Sequence, residues 1–234
     1  MLKYLLKLKI FRYFYVLTRF LIFVFIFKKL RTIKETKKSF KATTDRNLKS
    51  LLSLRDVYDG SRSDFFLNKL KKIETLDKIK KSKILIIGPR NEGEIYNFYA
   101  KGFLMKNITA IDLISYSKKI KAYDANFYLK SCKKKFDFIY LGFVLSYFRD
   151  PKKILSLAKK CLKKNGYLIV CVEAPRRIIN TRNIEKTTRF YNLKSLNNIF
   201  SKKLKHIYST LYVEKLYFIK PLFIKCYLVI KKRN

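Results

Sequence analysis

From residue 83 onward the chain repeats one pattern that leaves few folds open. Short, near-continuous apolar runs of strand length alternate with helical stretches. The runs are "KILII" (83–87), "NITAIDL" (107–113), "FDFIYLGFV" (136–144) and "GYLIVCV" (166–172). Strands without polar alternation need cover on both faces, which is the condition of a parallel strand inside an α/β sheet. The intervening segments suit the helices of βαβ units. One runs from about Glu92 to Lys101 with Gly102 as C-cap, and another from Pro151 to Lys164 with proline in its first turn. The pattern then breaks. After a helix near Asn192 to Lys203, "IYSTLYVEKLYFI" (207–219) and "PLFIKCYLVIKK" (221–232) leave no room for a crossover helix and must pair antiparallel or sit apart. The expected fold is α/β: a Rossmann-like, doubly wound sheet, mostly parallel, with an antiparallel C-terminal strand pair and helices on both faces.

Three regions precede or build that fold. Residues 1–30 are bulky aliphatic and aromatic residues interrupted by Lys3, Lys7, Lys9, Arg12 and Arg19. Their longest uncharged stretch, Phe20 to Phe27, is far shorter than the roughly 20 residues that span a bilayer. No small-residue cleavage site follows, which argues against a removed signal peptide. Two readings stay open: a basic, aromatic helix lying in an anionic membrane surface, or a helix packed on the domain itself. Residues 31–62 read as linker with a short helix near Leu48 to Leu54, and residues 63–234 as the main domain. That domain begins with a helix from about Asp64 to Lys78, on which Phe65, Phe66, Leu67, Leu70, Ile73 and Leu76 recur at helical spacing.

Composition narrows function. The net charge of +39 invites a nucleic-acid reading, but the lysines are spread over the whole chain, as on a solvated surface. The four cysteines form no C-x-x-C pair and suit buried thiols in a reducing, cytoplasmic setting, peripheral on the inner face of the membrane if residues 1–30 bind there. A single histidine, His206, excludes a His-rich metal site, and no metal is expected.

In a doubly wound sheet the ligand sits at the carboxyl ends of the strands, beside the first βα turn. That turn is Gly88-Pro89-Arg90-Asn91-Glu92-Gly93-Glu94. It has neither the G-x-G-x-x-G fingerprint nor a P-loop. Glu92 and Glu94 would repel a pyrophosphate at the helix start and tolerate a cationic, phosphate-free cofactor; equally, they complement the helix dipole. Asp112 ends the second strand, where an acid reaches ribose hydroxyls, although such a residue also serves as a turn or cap.

Together these stretches resemble a class I S-adenosylmethionine-dependent methyltransferase of the small-molecule, type 11-like kind, over Ile84 to Pro175. "ILIIGPRNEGE" stands at the glycine-rich first motif, "AIDLISYS" at the acidic second, and "AYDANFYL" at the segment whose acid reaches the adenine. "KFDFIYLGFVLSYFRDPKKILSLAKKCLKKNGYLIVCVE" matches the fourth-strand, helix and fifth-strand block. The resemblance implies S-adenosylmethionine as cofactor. Gly88 would line its methionine part, Arg90 would pair with its carboxylate or with Glu92, and Glu92 and Gly93 would complete the cofactor-binding turn. Asp112 would lie at the ribose, Asp124 at the adenine amine, and Gly142 and Phe143 along its flank. Tyr147 and Glu173 are the candidates, by topology alone, for a base or an acceptor-orienting role. The expected activity is methyl transfer to a small molecule, glycan or lipid-linked acceptor. The alternatives are an RNA methyltransferase and a non-catalytic binding module of the same fold. No Asn/Asp-Pro-Pro-Tyr motif supports base N-methylation of nucleic acid.

Overall fold

The computed structural model describes residues 2–29, 31–32, 70, 74–89, 91–142, 144–174, 204–214 and 223–232. The expected helices at 48–54 and 192–203 lie outside them, as do residues 64–69 and 71–73 of that at 64–78, Arg90 and Phe143. The chain divides into two compact units, Met1–Tyr128 and Leu129–Asn234.

In the first unit three parallel strands lie in the order β5-β3-β2: β2 (Ile84–Ile87), β3 (Ile108–Asp112) and β5 (Ile120–Ala122). Ile84 pairs with Ile108 and Ile87 with Ile111, and Asp112 pairs with Ala122. All four residues of β2 are buried, as a strand covered on both faces requires. Among the described residues this unit contains the α-helices α1 (Leu2–Leu5), α2 (Lys9–Leu21), α3 (Leu76–Lys81) and α4 (Glu92–Ala100). A fifth, α5 (Ala125–Ser131), runs across the unit boundary. Gly102, at φ +119, terminates α4 as its position suggested.

Helix α3 departs from the expected continuous helix through Lys78. Thr75 is extended, and its hydroxyl accepts the Lys78 N–H, which starts a new helix with Asp77 in its first turn. Arg31–Thr32, expected as linker, forms β1 and pairs antiparallel with β4 (Ile114–Ser115), beside the end of β3.

Helix α2 packs on its own unit. Val16 and Phe20 are buried, Tyr15 meets Tyr96 of α4 edge-on at 5.2 Å, and Phe20 meets Tyr116 at the same distance. Arg12 is buried with them. Its Nε donates to Asn97 Oδ1 at 2.8 Å, and its Nη1 donates to the carbonyls of Leu6 and Lys7 at 2.9 and 3.0 Å. One guanidinium thus satisfies carbonyls that the end of α1 leaves open and fixes α2 to α4. Of the two readings of residues 1–30, the packed helix is what the structure shows. After α2 the chain widens into a π-helical turn, Ile22–Ile26, closed by Lys28 at φ 47. Among the described residues no helix is long and apolar enough to cross a membrane.

In the second unit β6 (Phe136–Gly142) runs parallel to β7 (Leu162–Ala174). Strand β9 (Phe223–Lys232) pairs antiparallel with β7, and β8 (Leu204–Glu214) antiparallel with β9. In this unit one parallel pairing is followed by two antiparallel ones, and the missing crossover helix agrees with that antiparallel finish. Helix α6 (Pro151–Cys161) opens on Asp150, whose Oδ1 accepts the Lys153 N–H at 3.0 Å, and buries Ile154, Leu155, Ala158 and Cys161 at helical spacing. It stops three residues before the expected end. The register of β6 and β7 shifts between Phe136 and Phe138, where Asn165 takes φ 62. A Cβ on Gly166 would come within 3.0 Å of the Lys163 carbonyl and 3.1 Å of that of Asp137, so a side chain there would press these backbone groups aside.

Replacing Arg12 with Met should cost about 3 kcal/mol, since a buried amide oxygen and two carbonyls lose a charged donor. Urea melts should show a lower midpoint with an unchanged slope; an unchanged midpoint would show that the contact contributes nothing.

Candidate functional site

The first unit brings Gly88, Asp112 and Asp124 to the carboxyl ends of adjacent parallel strands. Gly88 follows β2 with φ +74, a left-handed conformation that a Cβ would strain. Its N–H donates to the Ile111 carbonyl of β3 at 2.9 Å, so the ladder extends one residue beyond the strand. The Asp112 carbonyl accepts the Tyr123 N–H at 2.8 Å, which holds the chain after β5 beside the end of β3. Asp112 Oδ1 also accepts the Ile114 N–H at 3.4 Å, a long turn bond. Asp124 caps α5: its Oδ1 accepts the N–H groups of Asn126 at 2.7 Å and Phe127 at 3.3 Å. Both acids thus have the turn and cap contacts that their residue type favours, at strand ends suited to polar groups of a nucleoside.

Two N–H groups at the start of α4 are already taken up. Asn91 is the N-cap, and its Oδ1 accepts the Gly93 N–H at 2.8 Å. The Glu92 N–H donates to the Tyr116 hydroxyl at 2.8 Å. These are the donors that cradle a phosphate in nucleotide-binding turns, and here side chains of the chain itself take them up.

Glu92 is fully buried and gripped by Arg19 of α2. Arg19 Nε lies 2.6 Å from Oε2 and Nη2 lies 3.0 Å from Oε1, a bidentate ion pair across 73 positions of sequence. This bond, above the opposing effect of burial, holds the Arg19 guanidinium protonated well beyond its usual range. Arg19 also lies over the Phe23 ring at 4.8 Å and the Tyr15 ring at 5.7 Å. Burial first, and then the nearby negative charge of Glu92, push the Tyr116 phenol upward; its hydrogen bond to the Glu92 N–H acts the other way. Burial likewise raises Tyr96, followed by its hydrogen bond with Tyr15. Gly93 and Glu94 are buried in the same turn of helix.

Arg12, Arg19 and Tyr116 were not among the residues singled out from sequence. The available signal was spacing: Arg12, Val16, Arg19 and Phe20 share one helical face, so the two arginines point with the buried side chains.

The remaining candidates belong to the second unit. Gly142 ends β6, where a Cβ would meet the Tyr140 ring at 2.7 Å; the buried Tyr140 side chain takes that space. Tyr147 is half-buried in a tight turn after β6, and its N–H donates to the Val144 carbonyl at 3.0 Å. Glu173 lies in β7, with its backbone opposite Lys225 of β9.

The sheet and its helices have the Rossmann-like arrangement. Two solved structures share the fold. One is the N-methyltransferase NodS from Bradyrhizobium japonicum WM9 in complex with S-adenosyl-L-homocysteine, at 15% identity, covering 72% of this chain and 88% of that one, TM-score 0.50. The other is magnesium protoporphyrin IX methyltransferase from Synechocystis PCC 6803 with bound S-adenosyl-L-homocysteine, at 12% identity, covering 82% and 96%, TM-score 0.55. No curated protein matches the chain. A family model described as a methyltransferase domain matches residues 59–206, and the chain belongs to that family. It is a methyltransferase.

Two outcomes follow from the clamp. Arg19→Met should destabilise by about 3 kcal/mol because it strands a buried carboxylate, whereas adding Glu92→Gln should recover most of that loss. A double-mutant cycle by denaturant unfolding measures this, and additive effects would contradict it. The second concerns alkali. A phenol raised in the folded state lends stability that is complete below the ordinary value of 10.0 and is lost as pH rises above it. Between about pH 9 and pH 11 the wild type should therefore lose stability more steeply than Tyr116→Phe. Parallel slopes would contradict the assignment.

Proposed function

We propose that the chain transfers a methyl group from S-adenosylmethionine to a small-molecule, glycan or lipid-linked acceptor. The observation that carries this reading is the first unit's strand-end geometry. Gly88, Asp112 and Asp124 follow three adjacent parallel strands, while Asn91 and Tyr116 take up N–H groups at the start of α4. A phosphate would have to compete for those N–H groups; a cofactor without phosphate does not. The residues fit such a cofactor. Asp112 would accept hydrogen bonds from ribose hydroxyls, Asp124 from an adenine amine, and the open backbone at Gly88 would admit the methionine part.

When bound, S-adenosylmethionine supplies an electrophilic methyl group on a sulfonium. The protein's task is chiefly to hold an acceptor atom in line with it and to keep water away. Tyr147 and Glu173 are the candidates for orienting the acceptor and, if it is a hydroxyl, for receiving its proton. The Glu92 carboxylate is engaged by Arg19, so in this reading it shapes the turn. Acceptors other than nucleic acid are favoured by the absence of an Asn/Asp-Pro-Pro-Tyr motif and by lysines spread over the whole chain.

Calorimetry with S-adenosyl-L-homocysteine should show binding by the wild type. Asp112→Ala should weaken it by about tenfold or more, the loss of hydrogen bonds to a charged acceptor. Folded wild-type protein without binding would refute the reading, and undiminished binding by Asp112→Ala would refute the assignment of that residue.

A further inference from the structure

Helix α2 has a second face. Opposite the stripe that Arg12, Val16, Arg19 and Phe20 bury, a row of apolar side chains stands in solvent: Ile10, Phe14 and Leu21 on the helix, then Phe25, Ile26 and Phe27 on the turn that follows. Ile10 is 68% exposed, Phe14 56% and Ile26 69%. Large aromatic and aliphatic groups exposed side by side are uncommon on a protein that faces only water. The row is bracketed by exposed cations, Lys7 and Lys9 at one end and Lys28 and Lys29 at the other. No Asp or Glu occurs before Glu35.

An apolar strip with a cationic rim and no anion matches one chemistry: the boundary between anionic headgroups and acyl chains. The acyl region takes the apolar row, and the ammonium groups stay among the phosphates. A protein partner would need an acidic rim around an apolar groove; a bilayer containing anionic lipid offers both features over any length. The helix need not unpack to bind, because its two faces are distinct. We infer that α2 and the turn after it form a docking face for an anionic membrane surface, with Arg12 and Arg19 pegging that face to the domain. The helix lies flat and does not span. This inference is independent of the cofactor assignment, and lipid binding can be read without any cofactor.

The test is flotation of the full chain with vesicles of phosphatidylcholine, with and without phosphatidylglycerol. A chain of charge +39 is drawn to any anionic surface, so the comparison must hold charge constant. Phe14→Glu/Leu21→Glu and, on α6, Lys152→Ala/Lys153→Ala lower the net charge by the same amount. The wild type and the α6 variant should float with phosphatidylglycerol vesicles, and the α2 variant should bind about a hundredfold more weakly. Near-UV circular dichroism checks its fold. If it does not fold, Phe14→Ser/Leu21→Ser, which leaves the net charge unchanged, is compared with the wild type, with an expected loss of about tenfold. Four results would overturn the inference. These are no flotation of the wild type, equal binding to phosphatidylcholine alone, equal losses in the α2 and α6 variants, or a lipid-free dimer that the α2 variant dissociates. The last would make the face a contact between two copies of the chain.

Discussion

The first unit is organised around one buried charge. Glu92 opens α4 directly beyond the turn after β2, and its carboxylate has no exposure to water. A carboxylate in that position is tolerable only with a fixed counter-charge, and the chain supplies it from the N-terminal helix through Arg19. The consequence reaches both ways. Arg19 cannot leave without stranding Glu92, and α4 cannot shift without breaking a bidentate pair. The N-terminal helix is thereby part of the unit that carries the strand-end acids. Arg12 repeats the device two turns earlier, with a neutral partner, Asn97, and two carbonyls.

The same interaction bears on what the turn can bind. With Asn91 and Tyr116 supplying acceptors to backbone donors of α4, and Arg19 answering Glu92, the helix start is electrically settled before any ligand arrives. A phosphate gains little there. A cofactor held by its ribose and adenine at Asp112 and Asp124, and approaching over Gly88, needs none of those donors. In the proposed reading the Gly88-Pro89-Arg90 sequence is in keeping with this division of labour, because the cofactor would approach the backbone closely at Gly88 more than along the whole turn.

Much of the fold was legible because its signals are local or periodic. The apolar runs marked β2, β3, β6 and β7, Gly102 ended α4, Pro151 opened α6, and the missing crossover agreed with the antiparallel pairing of β8 and β9. What escaped depended on contacts far apart in sequence or on a single backbone angle. Thr75 broke an expected helix because a hydroxyl cap outweighed continuing apolar periodicity. Leu162, extended directly after Cys161, ended α6 early, and the pairing of β6 with β7 shifts between Phe136 and Phe138. The strand ends carrying Gly88, Asp112 and Asp124 could be read from motif order. The arginines that support the turn could not, since Arg19 and Glu92 are 73 positions apart and an arginine in an aromatic run reads first as an interruption. The choice between a packed and a membrane-facing N-terminal helix was posed as exclusive, whereas α2 buries one stripe and exposes another.

The central claim is that Arg19 holds the start of α4 and the turn before it. Hydrogen–deuterium exchange on the full chain, comparing wild type with Arg19→Met, tests this most directly. The account predicts much faster exchange in peptides covering residues 88–97 of the variant, with β6 and β7 unchanged. Unchanged exchange over residues 88–97 would contradict it.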